Sequence, residues 1–246
     1  MKKKIVAFTL VIAMMALCFG ATMAYFMDTE TVKNVMTIGN VDIEQIEQQR
    51  GENGELEPFE NGKTLLPMGG APAWADEMVT VNGDSFKVFD SENVLDKFVT
   101  VKNNGNTDAY VRTIVALEAG KSPEEANDLW YNHIGVTDNS NGNPKVICED
   151  NDLYVEIGGQ YYIIVVYTYE DAINAGAESV PSLTGVALYS NTTKEDIANF
   201  GSEYEVLVIS QAVQVADMGD DAGAALDTAF GDVNAANVAE WFKDVA

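Results

Sequence analysis

Ala109-Tyr110-Val111-Arg112-Thr113-Ile114-Val115-Ala116-Leu117-Glu118 is the stretch whose reading decides the fold. It is rich in β-branched residues and reads as a strand, yet its apolar side chains occupy both faces instead of alternating with polar ones. A strand of that kind sits at the centre of a sheet, with one face against an opposing sheet and the other covered by a helix. Tyr204 to Ala216 has the same character. Two such strands predict a β-sandwich whose helices pack on one outer face.

Working outward, Val99-Thr100-Val101-Lys102 leads through Asn103-Asn104-Gly105-Asn106-Thr107-Asp108 into Ala109, a strand, an Asn-Gly turn and a returning strand, which predicts a β-hairpin. Further strands are expected at Met78 to Val81, Phe86 to Phe89, Phe98 to Lys102, Leu153 to Ile157, Tyr161 to Tyr169 and Gly185 to Tyr189. Val35 to Glu47 alternates with a phase shift across Gly39-Asn40, as a bulged strand does. Residues 47–74 are acidic at first, then rich in Gly and Pro, and read as a long acidic loop. Helix signals are short. Pro123-Glu124-Glu125 after Ser122 opens one turn toward Tyr131, Thr193 to Asp196 opens another toward Phe200, and Asp232 can cap Val233 to Lys243. In that last segment Val238, Trp241, Phe242 and Val245 form one apolar stripe. The expectation is a mainly β, jelly-roll-like antiparallel β-sandwich decorated with a few short helices.

Composition bounds the function. The 246 residues hold 39 Asp+Glu against 14 Lys+Arg, a formal net charge of −25. Such a chain has no basic surplus with which to displace phosphate counterions, so no nucleic-acid partner is expected. A zinc peptidase of the H-E-x-x-H kind needs two histidines on one helix face, and His133 is alone. Asp217 to Asp221 and Asp138 to Asn143 offer oxygen atoms of the type calcium takes, without the mid-loop Gly and closing Glu of an EF-hand loop. Solvated loops are the expectation there, calcium the weaker alternative, and no cofactor is otherwise implied. A pair of glycosidase carboxylates cannot be picked out among 39 acids.

The N-terminus is organised as a targeting segment. Lys2, Lys3 and Lys4 precede an apolar run from Ile5 to about Phe19, followed by Gly20-Ala21-Thr22-Met23-Ala24, the order of a secretory signal peptide over residues 1–24. The expected cut lies between Ala24 and Tyr25. Left uncut, the uncharged stretch to Phe26 is long enough to span a bilayer. Cleavage removes three lysines and no acid, and with Cys18 gone Cys148 has no partner for an internal disulfide. The mature chain then divides into an N-terminal segment, 25–34, and a single sandwich domain, 35–246. Within the domain Arg112 shares a strand face with Tyr110 and calls for a carboxylate or carbonyl partner. Gln211 or Gln214, set in an apolar strand, is expected to tie a neighbouring loop's backbone.

Several of these stretches, in this order, are similar to one known family. The signal ending in Ala24 before Tyr25-Phe26, then Met36-Thr37-Ile38-Gly39-Asn40-Val41-Asp42-Ile43, resembles the start of the TasA and camelysin family of exported proteins. The turn at Asn104-Gly105 with Ala109-Tyr110-Val111-Arg112, and the strand Ala212-Val213-Gln214, resemble its biofilm-matrix branch. The resemblance implies a dedicated signal peptidase, a jelly-roll-like sandwich, and a structural subunit of extracellular biofilm fibres. It implies self-association by donor-strand exchange, in which the N-terminal strand of one subunit completes the sheet of the next, and an accessory protein that anchors or nucleates the fibre. The metallopeptidase activity attributed to camelysin does not carry over, since the single His and absent ligand spacing leave it no site; no enzyme is expected. The donor segment is Tyr25 to Met36, with Tyr25, Phe26, Val32, Val35 and Met36 as pocket-filling anchors. A flexible leader, or pairing of this segment within its own chain, is the alternative. The expected location is outside the cell, in the matrix or at the surface of a bacterium. A monomeric surface adhesin that binds a glycan or protein through sandwich loops is the competing function, and a carboxylate hydrolase is the third.

Overall fold

The strand apolar on both faces is the middle of a five-stranded antiparallel sheet. In the computed structural model β7 (Ala109–Glu118) lies between β12 (Val206–Gln214) and β10 (Gln160–Tyr169), with β1 (Met27–Thr31) outside β12 and β9 (Val146–Ile157) outside β10. A second antiparallel sheet runs in the order β3 (Leu56–Pro58), β2 (Ile43–Arg50), β6 (Leu95–Asn103), β11 (Leu183–Leu188), β8 (Ile134–Asp138). A separate two-stranded ribbon joins β4 (Trp74–Val81) to β5 (Asp84–Phe89). Among the described residues three helices follow late in the chain, α1 (Lys194–Asn199), α2 (Ala222–Phe230) and α3 (Ala235–Phe242). The structure describes residues 27–31, 41–51, 54–67, 74–89, 94–120, 122, 124, 134–138, 146–188, 190–199 and 204–245.

The period of two along β7 sorts its side chains between two cores. Val111, Val115 and Leu117 face inward with Val99 and Val101 of β6, Tyr167 of β10, Leu183 of β11 and Val208 of β12, filling the space between the sheets. Ile114 and Ala116 face outward, where Ile164, Val166 and Ile209 join them beneath Val238 and Phe242 of α3. Tyr110 and Val213, also outward, are covered by Ala222, Ala225 and Leu226 of α2. Burying Phe242 completely stabilises the fold by roughly 2 to 3 kcal/mol. The mainly β, antiparallel sandwich with helices on one outer face is therefore as the two apolar strands require, and the stripe Val238, Trp241, Phe242, Val245 lies in the outer cluster.

Several details differ from the sequence reading. β6 and β7 do not form a hairpin; they belong to opposite sheets. Asn104 and Gly105 donate their backbone N–H groups to the Asp42 carbonyl, and buried Asn103 bonds Thr107 and Ile173 carbonyls, so the Asn-Gly stretch carries the chain across the sandwich. Tight two-residue hairpins lie instead at Asn82-Gly83, between β4 and β5, and at Gly158-Gly159, between β9 and β10, where both φ angles are positive, 52° and 91° in the first and 60° and 91° in the second, as a primed turn requires. The acidic segment from Glu47 is not all loop: β2 runs on to Arg50 and turns back into β3. Its amphipathic pattern is obscured because Gln49, buried, bonds Glu57. Helix α2 follows Asp221, which caps it by accepting from Ala224 N–H. Asn234, not Asp232, caps α3, accepting from Asn237 N–H. The Thr193–Asp196 box forms as expected. The proposed turn from Pro123 to Tyr131, His133 and residues 139–145 lie outside the described residues, apart from Glu124.

Candidate functional site

The edge of the first sheet is where the candidate site lies. β1 pairs antiparallel with β12 over Met27 to Thr31, in register Met27 with Val213, Asp28 with Ala212, Thr29 with Gln211, Glu30 with Ser210 and Thr31 with Ile209. On its other side β12 pairs with β7 in register Gln211 with Arg112, Ala212 with Val111, Val213 with Tyr110 and Gln214 with Ala109. Ala109, Tyr110 and Val111 are thus the rung-for-rung partners of Gln214, Val213 and Ala212, and Arg112 is that of Gln211.

Arg112 organises the outer face of this edge. It is 2 % exposed. Its Nε donates to Gln211 Oε1 at 2.8 Å, one terminal nitrogen to Asp227 Oδ1 at 2.6 Å and the other to the Gly231 carbonyl at 3.1 Å. The Trp241 ring lies 5.1 Å from the guanidinium carbon. The expected carboxylate and carbonyl partners are both present, supplied by α2 and by the residue that ends it. Gln211 itself bonds the Arg112 side chain and not a loop backbone. Gln214 reaches the Ala216 carbonyl at 3.3 Å, at its own strand's exit. Tyr110 donates to the Gly219 carbonyl at 2.9 Å, fastening the connection from β12 to α2.

The inner face of β12 is tied to the second sheet by polar contacts. Ser210 Oγ meets Gln45 Oε1 at 2.8 Å and Thr113 Oγ1 at 3.3 Å, and Gln45 bonds the Val208 carbonyl and Glu47. Glu47 pairs with Lys97, whose ammonium lies 4.1 Å from the centre of the Phe59 ring.

At the far end of β12 a second polar cluster closes the sheet. Glu118 is 2 % exposed and accepts from Glu205 N–H at 2.9 Å, while Tyr162 donates to Glu205 Oε2 at 2.7 Å. Burial raises the Glu118 carboxyl above its ordinary range; the Glu205 N–H opposes this and the Glu205 charge adds to it. Burial, and then the bond to Glu205, raises the Tyr162 phenol as well.

Above the Arg112 cluster an open cleft of about 830 Å³ is lined by Arg112, Thr168, Val166 and Asn234 together with Glu170, Asp171, Asp220, Asp221, Asp227 and Asp232. Among the described residues no group of three or more His, Cys, Asp or Glu side chains is arranged to hold a metal ion. Asp221, in the acidic stretch from Asp217, serves as the α2 cap.

Asn104 and Gly105 lie at the crossing between sheets, away from the β12 edge, and Ala109, Tyr110, Val111, Arg112, Ala212, Val213 and Gln214 lie beside it. The cleavage position Ala24–Tyr25 and the anchors Phe26, Val32, Val35 and Met36 lie outside the described residues. Asp227, Gly231 and Trp241 were not foreseen: one acid among 39 carries no mark of its partner. Comparison with known proteins matches no family model, no curated protein and no solved structure.

Proposed function

We propose that this chain is a secreted structural subunit of extracellular matrix fibres, of the type the TasA and camelysin family builds in bacterial biofilms, assembling head to tail by exchange of its N-terminal strand. The observation that supports this most is the β1–β12 ladder, here formed within one chain, in which an N-terminal strand completes one sheet and the next described strand, β2, belongs to the other. β12 is covered on its inner face by the sandwich core and on its outer face by α2 and α3. Without β1 it would present an unpaired edge, which demands a replacement strand. The opposite edge of that sheet is managed differently: β9 has a register shift opposite Ile164–Val165 and carries Glu149, Asp150 and Asp152, features that discourage pairing with another chain. One edge that invites a strand and one that refuses it give a heterologous contact, which grows filaments and does not close.

In this reading residues 1–24 direct export and are cut before Tyr25 by a dedicated peptidase, and Tyr25 to Met36 is then donated to a second copy. The sandwich takes the jelly-roll-like form of the family, an accessory matrix protein anchors or starts the fibre, and the subunit performs no reaction. The alternative, a monomeric surface module that binds a ligand, draws its support from the polar cleft beside Arg112. Electron microscopy separates them: the chain beginning at Tyr25 is compared with one beginning at Val35, at low salt and after acidification. Filaments from the longer chain alone are expected. Folded monomers from both chains under every condition would leave the surface module as the better account.

A further inference from the structure

β12 is longer than the strand laid along it. Its ladder with β7 runs from Val206 to Gln214, whereas its ladder with β1 begins at Ile209, opposite Thr31, and ends at Val213. Among the described residues no strand pairs with Val206 to Val208 on the side away from β7. Which backbone groups face that side follows from the two ends of the β7 ladder. The Glu205 carbonyl accepts from Glu118 N–H, and Val215 N–H donates to the Asp108 carbonyl. Glu205 and Val215 therefore bond toward β7, and because bonding alternates along an antiparallel strand, the N–H and C=O groups of Val206 and Val208 point out at the edge. One of these groups has a stand-in partner. Gln45 of β2 donates to the Val208 carbonyl at 3.4 Å, long for a hydrogen bond, while the same Nε2 reaches Glu47 Oε1 at 3.1 Å. An arriving strand displaces that contact at little cost, since Gln45 keeps Glu47. The edge is also firm and apolar. Glu205 N–H donates to the buried Glu118 carboxyl at 2.9 Å and Glu205 accepts from Tyr162 at 2.7 Å, which holds the start of β12 to β7 and β10. Val206 and Leu207 are half-buried, the first against the core between the sheets and the second against the cluster beneath α3.

We propose that the edge of β12 from Val206 to Val208 is the entry point for strand exchange: the N-terminal segment of a second copy pairs there first, then displaces β1 rung by rung, beginning with Thr31. This rests on the strand-exchange reading and says where exchange starts. The occupant follows from continuity with the β1 ladder. In the register of β1, the residues that follow Thr31 in the arriving copy, Val32 to Asn34, fall opposite Val208 to Val206. The apolar edge gains cover on both faces as they pair, and the outward N–H and C=O groups gain a ladder. The resident strand resists weakly. Met27 is the one apolar residue among its five, so the backbone ladder is what chiefly holds it.

The test uses the isotope-labelled chain beginning at Tyr25, at low salt, and two fluorescent peptides, one of residues Tyr25 to Met36 and one of Tyr25 to Thr31, which lacks the residues for the entry point. Hydrogen exchange of the chain alone comes first. The Val206 and Val208 amides are expected to exchange fast, while those of Ser210 and Ala212, covered by β1, are protected; equal protection of the four would mean that the entry point is already occupied, and overturns the proposal. Peptide entry is then followed by anisotropy. The longer peptide is expected to enter at a rate that rises with its concentration. The shorter one must wait for β1 to leave, so its rate levels off, roughly tenfold below that of the longer peptide at high concentration. Equal rates for the two peptides overturn the entry point and leave strand exchange standing. Entry of neither peptide sinks the strand-exchange reading and the entry point with it.

Discussion

Arg112 is a charge buried in an apolar face, and what makes it tolerable is that each of its three guanidinium nitrogens donates to a fixed acceptor. Removing one acceptor leaves the charge in place without compensation. Asp227→Ala is therefore expected to destabilise the protein by about 2 kcal/mol, less than for a fully buried pair because the Asp227 side chain is 42 % exposed. Arg112→Lys should do no better, since a single ammonium cannot span all three acceptors. Denaturant unfolding of the two variants measures both. Glu118 behaves in the opposite sense. Its carboxyl is raised in the folded state, so its contribution to stability is complete below the unfolded carboxylate range and is lost as pH rises through the folded value. Glu118→Gln keeps an oxygen for the Glu205 N–H and removes the charge. It should melt higher than the parent at pH 7 and equally near pH 4, and a gain of the same size at both values would show that burial of the charge is not the cause.

At the scale of elements, two glycines show how local geometry sets the cost of a methyl group. Gly83 has φ of 91° at the tip of the β4–β5 ribbon and open space around the missing Cβ, so Gly83→Ala is expected to cost about 1 kcal/mol from backbone strain alone. Gly231, between α2 and α3, has φ of 89°, and a Cβ there would stand 2.8 Å from Asn237 Nδ2, which donates to the Asp232 carbonyl. Gly231→Ala should cost about 2 kcal/mol or more, adding that displacement to the strain. Unfolding of the two variants in the reverse order of stability would contradict this account. The same contrast explains what could be read from the sequence. β7, β10 and β12 were legible because burial on both faces forces long apolar runs, and the Arg112 need for a carboxylate followed from its place on such a run. The β2–β3 turn, β8 and α2 were not, because an edge strand of three residues and a helix built largely from small residues bury too little to leave a period. The Asn-Gly turn at Asn104 misled for another reason: two strands joined by a short turn pair only if they share a sheet, and the Asp42 carbonyl and Asn103 side chain divert this one.

For the whole molecule, the balance of 39 acids against 14 basic residues sets a condition on any contact between copies. Subunits of like charge repel over about 10 Å at 0.1 M salt and farther when salt is low. Filament yield from the mature chain is expected to rise steeply with ionic strength before levelling, as light scattering would record; a yield independent of salt would mean that charge is not what restrains assembly. The difference in length between two ladders has a mechanical meaning. In a fibre built by exchange, tension between neighbours would pass through the five-residue β1, loaded along its length so that its rungs share the force, whereas β12 is held to β7 by nine residues. The joint is the weaker link by construction. A stretched fibre would part between subunits before any sandwich ruptured, and each broken end would keep an intact plug or socket, ready to rejoin without refolding.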